Sequence, residues 1–378
     1  MFRPGRRRRA NQSVHRSGDA VDDAIVADLR AAIGADGVRV DAAERSLLSR
    51  DASVFRGGVA GPVCFPTSTG DVQAIVRIAA RHGRSVVPRG AGTGLAGGAI
   101  PLGAPVVVSL TRMNRILDVD LDNRIAWVEP GVVNLDLTKY LAPLGFHFAP
   151  DPSSQQVCTI GGNVANNSGG PHCLADGVTN AHVQAIEVVL PDGEVAMLGG
   201  LDAEPLGLDL RGVFVGGEGT LGIATRIAVT LTKSRPAVRT MLLSFDRMSD
   251  AANTVSAVIA AGVVPAAMEV MDQRITRAVE HYVGAGFPTD ATAVLLDPAQ
   301  RRRGPRIHAL HAGLPLPQLV TRPDAGTCLP RVCEDLHAAV EAVQERGLVL
   351  RVKTGFGLVD KGLAFHDVPS SGTRRRHY

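Results

Sequence analysis

The sequence predicts an α+β fold. Three observations carry that expectation. Helical and hairpin patterns follow one another without a repeating strand–helix unit. Glycine is the outlier at 42 residues, and much of it is clustered beside strands, where backbone must turn tightly or approach something closely. Apolar residues make up 45% against 20% charged, enough to bury a core in more than one domain.

The elements can be justified in order. Residues 1–20 read as a disordered basic leader, with Arg6, Arg7, Arg8 and Arg9 in it. From Val21, the spacing of Ile25, Leu29 and Ala32 predicts a helix that Gly34 ends. Gly37–Val40 reads as a short strand. A second helix shows Val72, Ile75, Val76 and Ala79 on one face, with Asp71 in its first turn and Gly83 behind it. Ser85–Pro88 reads as a buried strand entering the first glycine cluster, and Val106–Leu110 and Arg124–Glu129 as further strands. Asn134 is the expected N-cap of a helix carrying Leu137, Leu141 and Leu144, ended by Gly145. Val183–Leu190 and Glu194–Leu198 flank Asp192-Gly193 as a hairpin. Alternation from Ile223 to Leu231 predicts a strand half covered by core.

A domain boundary is expected near Ser234-Arg235-Pro236, giving a first domain over 21–234 with a core from about 55 to 233. A second domain begins over 235–296, with a strand at Met241–Phe245 and a helix capped by Ser249 that turns Ala252, Val255 and Ile259 inward. From Asp297 to Gly326 no period holds. Residues 327–378 regain a helix through Leu329, Val332, Leu336 and Val343, then a strand at Leu348–Val352, and end in a disordered basic tail.

Bulk features exclude several functions. The arginine runs at 6–9, 301–306 and 374–376 lack aromatic platforms, so they read as solvated tails rather than nucleic-acid surfaces. No run of ~18 apolar residues can span a bilayer. The basic start lacks a secretory apolar segment, so a cytoplasmic protein is expected. The five cysteines (Cys64, Cys158, Cys173, Cys328, Cys333) form no C-x-x-C and read as buried or half-buried thiols, not disulfides or a metal site. His308, His311 and His366 are too scattered for one.

Three segments carry chemistry. Pro88-Arg89-Gly90-Ala91-Gly92-Thr93-Gly94-Leu95-Ala96-Gly97-Gly98 follows a strand and offers successive bare N–H groups as a nest for phosphate oxygens. A dinucleotide-binding βαβ unit would need a helix next; Ile100 to Pro105 and another strand follow instead. Ala149 to Gln155 and Thr159 to Gly170 supply small hydroxyl and amide donors with little bulk. Val215 to Ile223 repeats the glycine-before-strand pattern around Glu218, which could face a ligand or satisfy the loop's own donors.

Together these segments resemble the FAD-binding domain of the family that includes vanillyl-alcohol oxidase and para-cresol methylhydroxylase. Within that family the resemblance is to the glycolate oxidase flavin subunit and to D-lactate and D-2-hydroxyglutarate dehydrogenases. Arg112–Asp118, Glu129–Val132, Asp151–Ser154 and Thr159–Val164 support it, over roughly Asp51 to Leu296. The resemblance implies an α+β, two-subdomain FAD domain of the para-cresol methylhydroxylase type, followed by a truncated or irregular α+β cap. It implies that Pro88, Arg89, Gly90, Ala91, Gly92, Thr93, Gly94, Leu95 and Gly98 hold the diphosphate. Pro150, Asp151, Ser153, Ser154, Thr159, Gly161, Gly162, Asn163, Asn166 and Gly170 line the flavin and ribityl chain. Glu218, Gly219, Gly222 and Ile223 meet the adenosine side. Thr93 stands where some relatives attach FAD through His, so non-covalent FAD is implied.

The implied reaction takes hydride from C2 of a small 2-hydroxy acid (glycolate, D-lactate or D-2-hydroxyglutarate class) to flavin N5, while a base takes the hydroxyl proton. Electrons then pass to oxygen, a quinone or a protein, in a homo-oligomer or beside an iron–sulfur subunit. No residue is assigned as the base. Two departures stand out. Ala175-Asp176-Gly177-Val178-Thr179 replaces the family's Lys-Tyr-Gly before Thr, and the cap's His-rich segment is missing. They admit two alternatives: a catalytically impaired flavin-binding remnant, and a non-redox enzyme like alkyl-glycerone-phosphate synthase.

Overall fold

The computed structural model describes residues 22–201, 207–234, 237–260, 262, 264–301 and 351–353. They divide into two compact units. The first holds the described residues up to Ser168 together with Val178–Thr232, and the second holds Gly169–Gly177 and those from Lys233 onward.

The first unit contains two sheets. One runs in the order Val38–Arg39, Val63–Cys64, Val106–Ser109, Val86–Arg89; the last three strands are parallel and the first is antiparallel. Helices Asp23–Ile33 and Thr69–Arg81 cover it. Asp22 caps the first by accepting the Ala24 N–H, and Ser68 caps the second by accepting that of Asp71. Both bury the face expected from spacing: Ile25 and Leu29, then Val72, Ile75 and Ala79. Val86–Arg89 is half-buried rather than buried: Val86, Val87 and Pro88 stay partly exposed, and Arg89 is the one buried residue.

The other sheet is antiparallel, in the order Ile116–Asp120, Ile125–Val128, Ile223–Thr230, Val183–Val189, Val195–Gly199. The expected hairpin is present, with Gly193 at φ +83° in its turn. Ile223–Thr230 is the central strand. It is buried along most of its length, not half covered: Ala228, between the inward Ile227 and Val229, is fully buried too, only Arg226 is exposed, and the buried Thr225 hydroxyl donates to Glu187 at 2.9 Å. Helix Thr69–Arg81 ties the two sheets: Gln73 and Arg77 donate to the Gly193 carbonyl, and Thr69 to Glu187. Val189 and Ile223 join the core under that helix.

In the second unit, an antiparallel sheet runs Glu269–Asp272, Ala293–Arg301, Ala237–Phe245, Arg351–Lys353. Ala293–Arg301 continues as strand past Asp297, where the sequence pattern was expected to fail; its backbone pairs with residues 237–241. Helix Met248–Ala260 begins one residue before Ser249, whose hydroxyl donates to Asp250 instead of capping. It buries Ala251, Thr254, Ala257 and Val258, while Ala252 and Ile259 are exposed. The inward face is therefore rotated by one residue, toward Phe245, Ala293 and Leu295. The helix expected at 329–343, Cys328, Cys333 and the three C-terminal histidines lie outside the described residues. No helix among the described residues is long and apolar enough to cross a membrane.

Candidate functional site

The three glycine-bearing segments meet in the first unit. No helix follows the first loop; the chain runs from Gly90 to Pro105 irregularly and re-enters the sheet at Val106. The second segment differs from a plain loop. Thr159 accepts the Gly162 N–H at 3.2 Å and caps a helix over Ile160–Asn166, which Asn167 ends in the left-handed region at φ +45°. The third segment is tied to that helix: Gly216 and Glu218 donate their N–H groups to the carbonyls of Val164 and Ala165, each at 2.9 Å.

The segments interlock where side chains are missing. A Cβ on Gly90 would collide with Thr159 Oγ1, and one on Gly219 with the Pro88 ring. A Cβ on Gly98 would lie 2.7 Å from Glu218 Oε2. Gly90 and Gly219 are required by the approach of one protein segment to another, while at Gly98 only the end of the exposed Glu218 side chain would have to move. Gly94 and Gly162 are different. A Cβ on Gly94 would make ordinary contact with Asn166 at 3.6 Å, and one on Gly162 would meet only Thr159 Oγ1 at 3.3 Å. The protein leaves room at Gly94, while at Gly162 the Thr159 hydroxyl would have to give by a few tenths of an ångström.

The remaining expected residues fall around this junction. Pro150 is buried, and its carbonyl accepts from Asn134 Nδ2 at 2.9 Å. Ser154 closes a turn by accepting the N–H groups of Val157 and Cys158, and Ser153 is exposed. Asp151, Ala91 and Thr93 are half-buried and Leu95 is exposed. Gly222 and Ile223 enter the central strand. Gly161 donates to the Pro130 carbonyl. Glu218 sits at φ +50°, and its exposed carboxylate takes no hydrogen bond among the described residues, so it does not satisfy the loop's donors. Gly170 belongs to the second unit, where its N–H donates to Cys173 Sγ.

Asn134 was expected as an N-cap. Val133 holds the N-cap position, and the Asn134 side chain is buried. Its Nδ2 bridges the Pro150 carbonyl and Asn163 Oδ1, at 2.9 and 3.0 Å, while its own Oδ1 is buried without a partner. Asn163 in turn donates to Cys158 Sγ at 3.4 Å. Asn134 thus clamps the turn after Pro150 to the helix after Thr159. Spacing alone gave no sign of this.

The junction holds one buried cation. Arg89 is 6% exposed, and its Nε is buried without a hydrogen-bond partner. Burial lowers its basicity, partly opposed by Asp51. Bare N–H groups, a buried guanidinium and room at Gly94 fit the diphosphate and ribityl chain of FAD. Cys64 and Cys158 are buried free thiols and Cys173 is half-buried; burial pushes the Cys64 thiol up to about 12.

Comparison with known proteins agrees with this geometry. Residues 61–199 match the FAD binding domain, and residues 235–352 match the C-terminal domain of FAD linked oxidases. The chain is 44% identical over 234 residues to glycolate oxidase subunit GlcD of Escherichia coli K12, covering 62% of this chain and 47% of that protein. It is 40% identical over 255 residues to the Bacillus subtilis GlcD, covering 67% and 54%. With the D-lactate dehydrogenase of Anaerostipes hadrus it shares 35% over 219 residues, covering 58% and 46%. The chain therefore spans about half the length of these relatives. Among solved structures, a 4-ethylphenol oxidase from Gulosibacter chungangensis superposes at TM-score 0.65, with 23% identity, over 89% of this chain and 66% of that one. An alkyldihydroxyacetonephosphate synthase superposes at TM-score 0.65 with 21% identity, over 76% and 57%. Both likenesses concern the fold alone. With an FAD binding domain followed by the C-terminal domain of FAD linked oxidases, the chain belongs to the FAD-linked oxidase family.

Proposed function

We propose that the chain holds FAD non-covalently at the junction of the three glycine-bearing segments and takes part in oxidising a small 2-hydroxy acid. The observation that carries this reading is the meeting of those segments around a buried guanidinium without an ion-pair partner among the described residues, with open room at Gly94. Arg89 to Gly98 would hold the diphosphate, Pro150 to Ser154 and Thr159 to Asn166 the flavin and ribityl chain, and Glu218 to Ile223 the adenosine side. Thr93 offers no imidazole for covalent attachment. When bound, FAD supplies the two-electron acceptor for oxidation at C2 of the substrate. The chain's own part is to fix the cofactor through N–H donors and exclude bulk from its approach. The hydroxy-acid class is supported by the relatives named as a glycolate oxidase subunit and a D-lactate dehydrogenase. A partner subunit and an onward electron acceptor belong to the same proposal.

The test is anaerobic addition of glycolate, D-lactate or D-2-hydroxyglutarate to the FAD-loaded full chain. Bleaching of the flavin band by one of them is the expected result. A yellow protein that none bleaches contradicts the hydroxy-acid assignment and favours a flavin-binding remnant.

A further inference from the structure

The antiparallel sheet of the first unit has two unlike edges. At one, Ile116–Asp120 carries Asp118 and Asp120. At the other, Val195–Gly199 reads Val-Ala-Met-Leu-Gly, with no charge and no proline. The edge strands of the second unit's sheet are charged as well, with Glu269 and Asp272 on one and Arg351 and Lys353 on the other. Charges and prolines keep foreign strands from adding to a sheet edge, and Val195–Gly199 has neither.

Its main chain is open on the outer side. Gly200 donates to the Gln184 carbonyl and Leu190 to that of Glu194. By alternation, Ala196 and Leu198 bond inward to Val183–Val189, while Val195 and Met197 turn their N–H and C=O groups outward. No strand among the described residues pairs with that side. The side chains around it are apolar and open: Val195 is 43% exposed and Met197 51%. Helix Leu210–Phe214 packs beside the strand and presents Leu210 and Val213, one turn apart, at 54% and 64%. The charges nearby are already matched. Glu194 pairs with Arg77, and Arg211 with Asp209 and the Val183 carbonyl.

We infer that this edge is the interface between two copies of the chain. A two-fold axis at Met197 lays the strand antiparallel on its own image, and the outward groups of Val195 and Met197 bond across it. Such an axis brings each side chain beside its own counterpart. A charged edge resists that, and this uncharged one does not. The open side chains and the strand's main chain give an area comparable with the ~800 Å² that each partner of a standard interface buries. The inference is independent of the flavin reading.

Sedimentation velocity of the full-length chain over a range of concentrations, with and without FAD, tests it in wild type, Met197→Lys and Val213→Lys. Wild type is expected to dimerise in both conditions. Met197→Lys sets two cations opposite each other across the axis and is expected to weaken the dimer about a hundredfold or more. Val213→Lys, on a helix surface, is expected to weaken it about tenfold and carries the test should the strand variant not fold. Circular dichroism of both variants should match wild type, since both positions are exposed. A wild-type chain that stays monomeric overturns the inference, whether its edge is open or taken by a different protein. So does a dimer that both variants leave intact, which places the contact elsewhere, or one lost only together with folded structure.

Discussion

Gly92 combines two constraints. Its φ is +74°, and its Cα faces the Arg89 guanidinium so closely that a side chain cannot fit. Gly92→Val is therefore expected to displace Arg89 and abolish FAD retention through gel filtration; unchanged cofactor content would refute the loop's role. The glycines were legible in the sequence as bare backbone. Their division of labour was not, because Gly90 and Gly219 serve the fit of segment to segment, and that fit exists only once distant stretches meet. Asn134 was misread for a related reason: helix-start chemistry suits asparagine, yet its side chain turns inward to Pro150 and Asn163. Asn134→Leu removes two buried hydrogen bonds and leaves the Pro150 carbonyl unmet. Loss of about 1–3 kcal/mol in denaturant unfolding is expected.

Cys64 gives a pH dependence with a definite sign. Its thiol is held neutral, with a pKa raised to about 12 by burial. A raised folded value means its contribution is complete below the ordinary thiol range and is lost as pH rises toward about 12. Wild type should lose stability relative to Cys64→Ala across that alkaline window. Mass-mapped alkylation near neutral pH should leave Cys64 unlabelled in the native chain; labelling without unfolding would contradict its burial.

The helix Ile160–Asn166 is an element that sequence reading missed. Two adjacent glycines, Gly161 and Gly162, are poor helix formers, and they masked the Thr159 cap that starts it. Gly161 is required because Pro130 packs where its side chain would be. Thr159→Ala should cost about 1 kcal/mol of stability, with Thr159→Ser close to wild type; equal melting of all three chains would show that the cap is not needed. The central strand Ile223–Thr230 misled in the opposite way. Alternation of Ile223, Thr225, Ile227, Val229 and Leu231 assigned one covered face, but Ala228 on the alternate positions is fully buried as well. Alanine is small enough for a covered or an open face, so its burial leaves no mark in the pattern. Helices Asp23–Ile33 and Thr69–Arg81, each with one apolar face, were readable from spacing and caps.

At the scale of the molecule, the α+β class and a change of architecture near residue 233 follow from local pattern. The pairing of Ile223–Thr230 with both Ile125–Val128 and Val183–Val189 does not, since long-range register depends on the shape of the assembled core. Because the three segments lie in the first unit, FAD should protect backbone amides at 88–98, 159–166 and 215–223 from hydrogen exchange. FAD at ~100 times its Kd should stabilise the folded chain by about 2.7 kcal/mol. Protection confined to residues 237–301 would contradict the assignment.

The central claim is that the room at Gly94 is kept for the cofactor. Titration of the apo chain with FAD, in wild type and Gly94→Ala, tests it most directly. The methyl group makes only ordinary contact with Asn166, so the account predicts an unchanged apo melting temperature and FAD affinity weakened by about tenfold or more. Equal FAD affinity in the two chains would contradict it.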